Sequence, residues 1–328
     1  MRKKMILGAL AAVTVAGTAA CSSGATAAAP EVRDSVQGQS LAFVPGVAGD
    51  SFYITMQCGI QAAAAEQGMT VDVQAPQQFD PSLQTPIVNG VVAQKPAALL
   101  IAPTDTVAMY PPLLQANQNG IAVGLVDTTL ENTELAATSV STDNRAGGAA
   151  AADALAELVG DQGKVLVIAF KAGASTSDAR QQGFEQQIAT HPGITYIGAQ
   201  VNDNDPAKAA SIIGATLAAH PDLAGVFATN QFAAEGTATG LRNAGKIGQV
   251  KVVGFDAGPV QVKQLQQGEV QALIAQQPYE IGTTAVQQIV AAMTGKPVTK
   301  EVPTGTITVT QENFAQPEVQ QAVYKAEC

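Results

Sequence analysis

A regular alternation of two kinds of segment begins near residue 40 and continues to residue 275. Short runs of β-branched and aliphatic residues alternate with longer stretches rich in Ala and Gln, such as 144–159 and 206–219. The short runs are apolar nearly throughout, which is typical of parallel strands buried on both faces, and the longer stretches predict helices that connect them by right-handed crossovers. The chain is therefore predicted to be an α/β protein built on doubly wound parallel sheets. Strands are predicted at 41–44, 70–74, 98–101, 122–126, 164–169, 195–201, 225–228, 250–255 and 270–275.

Length and composition narrow the class of protein further. A chain of 328 residues is longer than one ordinary domain, so two lobes are expected. Hydrophobic residues make up 46% and charged residues 13% of the chain, which is a globular composition. A formal charge of −10 repels phosphate backbones and argues against nucleic-acid binding. No apolar run after the N-terminal segment is long enough to span a bilayer.

The N-terminal segment has the pattern of an export signal. Basic residues at 2–4 precede an apolar run at 5–16, and small residues follow, so residues 1–20 are predicted to be a signal peptide. The sequence TAAC at 18–21 resembles a bacterial lipobox, although Thr18 stands where that motif prefers Leu. We therefore expect lipidation at Cys21 and a flexible lipidated tether over 21–38, which would hold an exported protein at the outer face of the cell membrane. The alternative is a simple secreted or periplasmic protein in which Cys21 is incidental.

Two further cysteines remain in a chain that is expected to meet an oxidising environment. Cys58 lies in the first helix after the first strand, and Cys328 is the last residue of the sequence. We predict a disulfide that joins the C-terminal tail to that helix. The alternative is a pair of free thiols.

Polar residues gather after the predicted strands of both halves. Ligands bind beyond the carboxyl ends of the strands in sheets of this kind, so these segments are the candidate site. Each one has another interpretation, because Asp and Asn are also ordinary N-cap and turn residues. Their coincidence in both halves favours a site. The segments are 46–53, 102–105, 127–129, 170–178, 202–205, 230–231 and 256–258.

Five short motifs lie at these strand ends: DSFY at 50–53, APTD at 102–105, VFATN at 226–230, VVGFD at 252–256 and IAQQP at 274–278. Together and in this order they resemble the ribose/galactose-type periplasmic binding protein family, over about residues 41–310. The resemblance implies two doubly wound lobes joined by a three-crossing hinge, the type I periplasmic binding protein fold, with a ligand in the cleft. It also implies a membrane permease and a cytoplasmic ATPase, the other components of an ABC importer, as partners.

The same resemblance gives the expected division of the chain. The crossings between the lobes are expected near 139–143, 276–278 and 302–305. The N-terminal lobe would comprise 39–141 plus 277–303, and the C-terminal lobe 142–276 plus 304–328, with the tail either staying there or returning to the N-terminal lobe. Ligand contacts from both lobes would favour a closed state over an open one. We expect a monomer without cofactor or metal.

Several residues match the family's ligand positions. Phe52 and Tyr53 match an aromatic pair that packs on the apolar face of a sugar ring. Asp50 replaces an Asn that is usual in ribose-type members, and keeps an acceptor while losing the amide donor. The polar positions that bind hydroxyl groups are matched by Asp127, Asn230, Asp256 and Gln276.

Other positions depart from the ribose-type pattern and bear on the ligand. Ala102 stands in place of an Asn, Thr128 and Asp178 in place of two sugar-contacting arginines, and Asn204 in place of an aromatic residue. Arg180 matches a neighbouring arginine that is interpreted as structural. Thr128, Asp178 and Asn204 are candidate ligand-binding residues at these altered positions. The alternative for Asp178 is that it turns away from the cleft and pairs with Arg180 or caps its helix.

The departures predict a site rich in carboxylates. Asp50, Asp127, Asp178 and Asp256 would face one cleft, and such a site should reject sugar acids and sugar phosphates, because an unpaired buried charge is costly. A neutral sugar or polyol is the expected ligand, and ribose itself is a poor candidate. An amine-bearing solute is the alternative. Lys171 would offset some of the charge if it entered the cleft, but a solvated position at the lobe edge is the simpler interpretation.

Other function classes find less support in the sequence. Both histidines, His191 and His220, precede a proline at an apparent helix end, and neither belongs to a pattern of catalytic or metal-binding residues. We therefore do not expect an enzyme. A sugar-responsive repressor would need a DNA-binding segment where the export signal stands. An exported sensor that feeds a membrane kinase or chemoreceptor is the realistic alternative to a transport component.

Overall fold

The computed structural model describes residues 32–328, so the predicted signal peptide, Cys21 and residues 21–31 of the predicted tether lie outside the described residues. The first half of the described chain alternates strands and helices as the sequence predicted. Its elements are β1 (Ser40–Val44), α1 (Ser51–Glu66), β2 (Thr70–Val73), α2 (Pro81–Gln94), β3 (Ala98–Ile101), α3 (Tyr110–Gln118), β4 (Ala122–Val126) and β5 (Thr138–Thr142).

The second half repeats the alternation and ends in a short tail helix. Helices at 144–159 and 206–219 have the predicted bounds. The elements are α4 (Asn144–Val159), β6 (Gly163–Ala169), α5 (Ser175–Ile188), β7 (Ile194–Val201), α6 (Pro206–Ala219), β8 (Leu223–Ala228), α7 (Gln231–Asn243), β9 (Lys251–Phe255), α8 (Pro259–Gln266), β10 (Ala272–Ala275), α9 (Pro278–Met293), β11 (Glu301–Thr304), β12 (Ile307–Thr310) and α10 (Pro317–Gln321).

The strands form two sheets with the same topology. The first sheet has the order β11-β5-β4-β3-β1-β2, and the second has the order β12-β10-β9-β8-β6-β7. If the edge strands β11 and β12 are set aside, the other five strands of each sheet form a repeated unit with the same order. In each unit, the strand that comes first in the sequence lies between the second and the third. All pairs in these units are parallel, and strands such as β3 and β4 are buried along their whole length. The predicted fold class, two doubly wound α/β lobes, is confirmed.

The chain passes between the sheets three times. It leaves the first sheet after β5, returns to it after β10, and leaves it again after β11. Helix α9 packs against α1 in the first lobe, and β11 lies parallel to β5. We name the lobes by these two sheets, so the first lobe carries β1–β5, α9 and β11 and the second lobe carries α4 to β10 and β12.

The last strand departs from the all-parallel pattern. Strand β12 pairs with β10 in antiparallel orientation, and the strand prediction did not include it. The reason is the short connection of two residues from β11. Strand β11 runs towards the hinge in the first lobe, so β12 enters the second lobe at the hinge and runs away from it. Strand β10 runs towards the hinge, and the two strands are therefore antiparallel.

Two helices of the second lobe pack unusually closely. A Cβ atom on Gly148 of α4 would lie 2.1 Å from the backbone oxygen of Arg180, and one on Gly183 of α5 would lie 2.0 Å from that of Arg145. Only glycine allows such an approach. The contact fixes the part of α5 that carries Arg180.

The C-terminal tail lies against the first helix. The Sγ atoms of Cys58 and Cys328 are 2.16 Å apart, and the backbone N–H of Lys325 donates to Thr55 Oγ1 at 2.7 Å. The tail thus returns to the first lobe. Within residues 32–328, no helix has both the length and the apolar character needed to cross a membrane.

Candidate functional site

The candidate site is a small cavity between the lobes, at the carboxyl ends of their strands. Its volume is about 20 Å³, which is room for one or two water molecules, so a sugar ring enters only if the walls move apart. The first lobe and the second lobe contribute equally, and Gln276 lies at the crossing after β10. The walls are Val47, Asp50, Phe52, Tyr53, Phe79 and Asp127 from the first lobe, and Phe170, Thr176, Arg180, Asn204, Asn230 and Asp256 from the second.

The start of α1 places an acid and two aromatic rings on the first-lobe wall. Asp50 is the N-cap of α1, and its Oδ1 accepts a hydrogen bond from the backbone N–H of Phe52 at 2.9 Å. The rings of Phe52 and Tyr53 meet edge to face at 5.2 Å between centroids. The Tyr53 hydroxyl donates to Asp127 Oδ2 at 2.7 Å. This hydrogen bond leaves the other oxygen of Asp127 for a further donor.

Two aspartates occupy the same position in the two lobes. Asp127 follows β4 and Asp256 follows β9, and these are the fourth strands of the two repeated units. Both have left-handed backbone conformations, with φ of 61° and 79°. Such conformations cost energy for residues other than glycine and gather at functional sites. The repeated fold therefore aims one carboxylate from each lobe at the cavity.

Asp256 is the centre of a buried hydrogen-bond network. Its Oδ1 accepts from Gln276 Nε2 at 2.6 Å and from the Tyr324 hydroxyl at 3.1 Å. Its Oδ2 accepts from the backbone N–H of Gln231 at 3.0 Å. Thr142 in turn donates to Gln276 Oε1 at 2.6 Å. The network joins the carboxylate to two of the three crossings.

Two amides form a second polar group on the same wall. Asn230 is the N-cap of α7, where its Oδ1 accepts from the backbone N–H of Ala233 at 2.9 Å. Its Nδ2 donates to Asn204 Oδ1 at 2.7 Å. Asn204 also has a left-handed backbone, with φ of 59°. These contacts fix the orientation of both side chains beside the cavity.

Arg180 lines the cavity, although the sequence interpretation treated it as structural and outside the site. The side chain is 3% exposed, and it donates to Asn144 Oδ1 and to the backbone oxygen of Thr229, each at 2.8 Å. Its guanidinium stacks 3.8 Å above the ring of Phe255. The carboxylates of the site therefore face a buried cation. The family's sugar-contacting arginines are replaced in this sequence, yet a guanidinium reaches the site from position 180.

Eight of the predicted ligand positions line the cavity, and Thr128 and Asp178 do not. Thr128 turns into the first lobe, where its hydroxyl donates to the backbone oxygen of Pro103 at 2.7 Å. Asp178 lies in the first turn of α5 and accepts a hydrogen bond from the backbone of Gly173. Lys171 is also outside the cavity and lies 3.9 Å from Asp203.

Phe79 and Phe170 are cavity residues that the sequence interpretation did not single out. Their rings, one from each lobe, meet edge to face at 5.6 Å between centroids, with planes at 90°. Asn204 replaces the family's aromatic residue, so the apolar surface on the second-lobe side comes from Phe170 instead. Phe170 lies at the end of β6, within the candidate segment 170–178, and that position was the available signal.

Direct hydrogen bonds join the lobes around the cavity. Ser51 donates to Gln231 Oε1 at 2.5 Å, and the backbone N–H of Thr129 donates to Ser175 Oγ at 2.9 Å. The N–H of Thr106 donates to the backbone oxygen of Gly173 at 3.4 Å. The structure is thus a closed arrangement of the lobes. Among residues 32–328, no group of three or more His, Cys, Asp or Glu side chains is arranged to hold a metal ion.

Burial dominates the electrostatics of the site. Desolvation, together with the nearby Asp256, raises the pKa of Asp50 to about 8. Desolvation also raises the pKa of Asp127 to about 6, against the lowering effects of Arg180 and of the Tyr53 hydrogen bond. At neutral pH Asp50 therefore carries a proton and can donate a hydrogen bond, while Asp127 accepts.

The raised pKa of Asp50 predicts an unusual dependence of stability on pH. Because the folded state holds this proton more tightly than the unfolded state, the free energy of unfolding should fall as the pH rises from about 4 to about 8. The contribution is at most about 1.4 kcal/mol per pH unit. Asp50→Asn keeps an N-cap acceptor and should flatten this fall in thermal unfolding measured across that range.

Asp80→Asn provides the matched control. Asp80 is also a helix N-cap, but its pKa is lowered, first by its hydrogen bond with Ser82, so the fall should persist in this variant. Equal slopes for wild type and Asp50→Asn would contradict the prediction.

Comparisons with known proteins agree with this architecture. A sequence profile of the family described as "Periplasmic binding protein domain" matches residues 41–297. The chain is 31% identical to the Ribose import binding protein RbsB of Escherichia coli (strain K12) over 264 residues, which is 80% of this chain and 88% of that protein.

Solved structures give the same result. An ABC transporter solute binding protein from Agrobacterium vitis, bound with α-D-tagatopyranose, has a TM-score of 0.85 at 41% identity over 88% of this chain and 99% of that chain. A second one from Agrobacterium vitis, with bound D-fucose, has a TM-score of 0.83 at 28% identity over 87% of this chain and 100% of that chain. The chain therefore belongs to the periplasmic binding protein family, as the motifs at its strand ends predicted.

Proposed function

We propose that this protein is the extracytoplasmic substrate-binding protein of an ABC-type importer, and that it binds a small neutral sugar or polyol between its lobes. The observation that carries the proposal is the cavity itself, in which aromatic rings and hydrogen-bonding groups from both lobes converge. Sugars have apolar C–H faces and a rim of hydroxyl groups, and this combination of walls is complementary to both.

The charges in the cavity favour a neutral ligand. Asp50, Asp127 and Asp256 face one guanidinium, that of Arg180. An anionic ligand would add a negative charge to a buried acidic site, which is costly. Hydroxyl groups instead donate to the carboxylates and accept from protonated Asp50 and from Arg180, and hydrogen bonds to charged groups are the strong ones.

The size of the cavity supports a mechanism of opening and closing. Since the closed walls leave about 20 Å³, the ligand must enter while the lobes are apart and hold them at a spacing that fits. Contacts from both lobes then favour the closed state, which would dock on a permease coupled to an ATPase. The lobes would move as 39–141 plus 277–303 and 142–276 plus 304–328, the division expected from the sequence, with the tail returning to the first lobe.

Export, lipidation and the disulfide complete the proposal. Signal-peptide removal and acylation at Cys21 would anchor the protein at the outer face of the cell membrane as a monomer. The 2.16 Å separation of the Cys58 and Cys328 sulfur atoms supports a disulfide in that oxidising environment.

We take D-tagatose as the first ligand to test. The solved relative that is 41% identical holds this sugar, while the ribose-binding relative is 31% identical. The altered positions Asp50 and Asn204 also argue against ribose, since both differ from the ribose-type pattern.

A ligand panel tests the function directly. The protein is freed of bound ligand by unfolding and refolding, and its thermal unfolding is followed with D-tagatose, D-fucose, D-arabinose, D-ribose, xylitol, D-galacturonate and spermidine. A neutral sugar or polyol should raise the melting temperature, because at one hundred times its Kd it adds about 2.7 kcal/mol to the free energy of unfolding. Galacturonate should leave the melting temperature unchanged. Stabilisation by spermidine alone would replace the sugar by an amine-bearing ligand, and calorimetric titration of each hit gives the Kd.

A further inference from the structure

The C-terminal tail reaches the candidate site from outside the two repeated units. Val319 of α10 and Ala322, directly after this helix, pack into the core, and Tyr324 is buried, with 3% of its surface exposed. The backbone N–H of Tyr324 donates to the backbone oxygen of Ala257, next to Asp256, at 3.0 Å. This residue is therefore held directly behind the cavity wall.

The Tyr324 hydroxyl makes two hydrogen bonds whose directions are fixed by chemistry. It lies 3.0 Å from the backbone nitrogen of Gln276 and 3.1 Å from Asp256 Oδ1. A backbone N–H can only donate, so the hydroxyl accepts from Gln276 and gives its own proton to the carboxylate. One hydroxyl thus connects Gln276 and Asp256, two polar residues of the cavity wall.

The same tail is attached to the first lobe. The ring of Tyr324 lies 5.8 Å from that of Phe52, a cavity residue, and the next residue, Lys325, bonds to Thr55 of α1. Three residues further on, the sulfur of Cys328 is 2.16 Å from that of Cys58 on the same helix. The tail therefore connects Asp256 of the second lobe to α1 of the first.

The contacts of Asp256 show what this connection controls. A carboxylate offers about four acceptor positions, and the protein occupies both on Oδ1 and one on Oδ2. The remaining position on Oδ2 is available to a ligand hydroxyl. Without the Tyr324 proton, a buried acceptor position on Oδ1 is free, and the carboxylate can turn to satisfy it.

We propose that Tyr324 is a positioning residue for ligand binding, which orients Asp256 towards the ligand, and that the link between Cys58 and Cys328 holds Tyr324 in place. This inference rests on the proposed function, because its readout is the affinity for a sugar. It adds the C-terminal tail, which the strand-end motifs do not include, to the binding site.

Tyr324→Phe tests the inference by removing only the hydroxyl. Calorimetric titration with D-tagatose, or with the neutral sugar of the panel that binds best, should give a Kd about tenfold weaker than wild type. Tyr196→Phe is the matched control, because the Tyr196 hydroxyl donates to Glu185 at 2.8 Å within the second lobe, outside the cavity. That variant should keep the wild-type Kd within twofold, even if its melting temperature falls.

Monodeoxy derivatives of the same sugar separate positioning from general structural damage. Asp256→Asn first identifies the sugar hydroxyl that this residue binds: the derivative that lacks this hydroxyl should lose less affinity on going from wild type to variant than the other derivatives do. Tyr324→Phe should give the same pattern, with the smallest loss of affinity for that one derivative. A uniform loss across all derivatives, or a Kd equal to that of Tyr196→Phe, would overturn the role of Tyr324.

Cys328→Ser tests how the tail is held, and it provides a second variant if Tyr324→Phe does not fold. Peptide mapping of the wild type after alkylation without reductant should find Cys58 and Cys328 linked, and alkylated thiols at both positions would overturn the link. The Cys328→Ser variant should bind the sugar several-fold more weakly than the wild type. Tyr324→Phe should then raise the Kd by a smaller factor in the Cys328→Ser background than in the wild-type background, since both changes act through one contact. If the wild type binds none of the neutral sugars, the proposed function fails; if it binds and these variants bind equally well, only this inference fails.

Discussion

Replacing Asp256 with Ala is expected to weaken sugar binding by at least about 100-fold, to the point where calorimetry detects no heat of binding. The substitution removes the ligand's acceptor and also leaves the hydrogen-bond donors of Gln276, Gln231 and Tyr324 without their shared partner. Such donors then turn to new acceptors, so the wall changes shape as well as charge. The effect should therefore exceed that of a single lost hydrogen bond.

Asp178→Ala is the control that separates the structure from the sequence interpretation. Both residues were predicted ligand positions, but Asp178 lies outside the cavity and is half-buried in the first turn of α5. Its variant should bind with a Kd within twofold of wild type. A large loss at Asp178 together with a small loss at Asp256 would mean that the cavity described above is not the binding site.

The positions of Asp256, which lines the cavity, and of Asp178, which lies outside it, show what could be predicted from the sequence. Asp256 follows a parallel strand directly, and in a doubly wound sheet every such position opens onto the same edge. The end of the strand therefore indicates the location, and Asp127 and Asn230 lie at the cavity for the same reason. Thr128 shows that the next residue along can still turn away, since its side chain points into the first lobe. The fold was predictable on similar grounds, because buried parallel strands are apolar along their length.

Residues carried by a helix are harder to place. Positions 178 and 180 are two residues apart on α5, which is a rotation of about 200° around the helix axis. When Asp178 faces away from the cavity, Arg180 faces it. A motif match without gaps cannot decide between the two faces of the helix, because the close packing of α4 on α5 sets the rotation. This packing depends on Gly183 of α5 and also on Gly148 of α4, which is about 30 positions earlier in the sequence than Asp178.

The contribution of the tail was beyond the reach of local patterns. Tyr324 is 68 positions from Asp256 in the sequence, and no strand or motif precedes it that would place it near the site. Only the predicted pairing of Cys58 with Cys328 pointed to this part of the fold. It indicated that the tail returns to α1, but not which side chain would reach the cavity wall.

Arg180→Met should be the most destabilising single substitution at the site, with a loss of about 3–5 kcal/mol in the free energy of unfolding. Methionine keeps the contact with the Phe255 ring but removes the charge and the hydrogen bonds to Asn144 and Thr229. Buried carboxylates then remain without a compensating cation. Chemical denaturation at pH 5 and pH 8 measures both the loss and its dependence on pH.

The sign of the pH dependence follows from Asp127. Arg180 lowers the pKa of this group, so its removal raises a value that burial has already brought to about 6. In the folded variant, Asp127 then keeps its proton to a higher pH than in the folded wild type. The free energy of unfolding of the variant therefore falls further as the pH rises. The loss should be larger at pH 8 than at pH 5, and adding Asp127→Asn should recover part of it at pH 8.

Arg242→Met controls for the loss of an arginine as such. Arg242 pairs with Glu269 at the surface, and its side chain is 48% exposed, so its removal should cost less than about 1 kcal/mol and depend little on pH. If Arg180→Met cost no more than this control, Arg180 would not be compensating the carboxylates. The acidic cavity would then be stable without a cation, and the charge argument for a neutral ligand would lose its basis, because the site would tolerate unpaired charge.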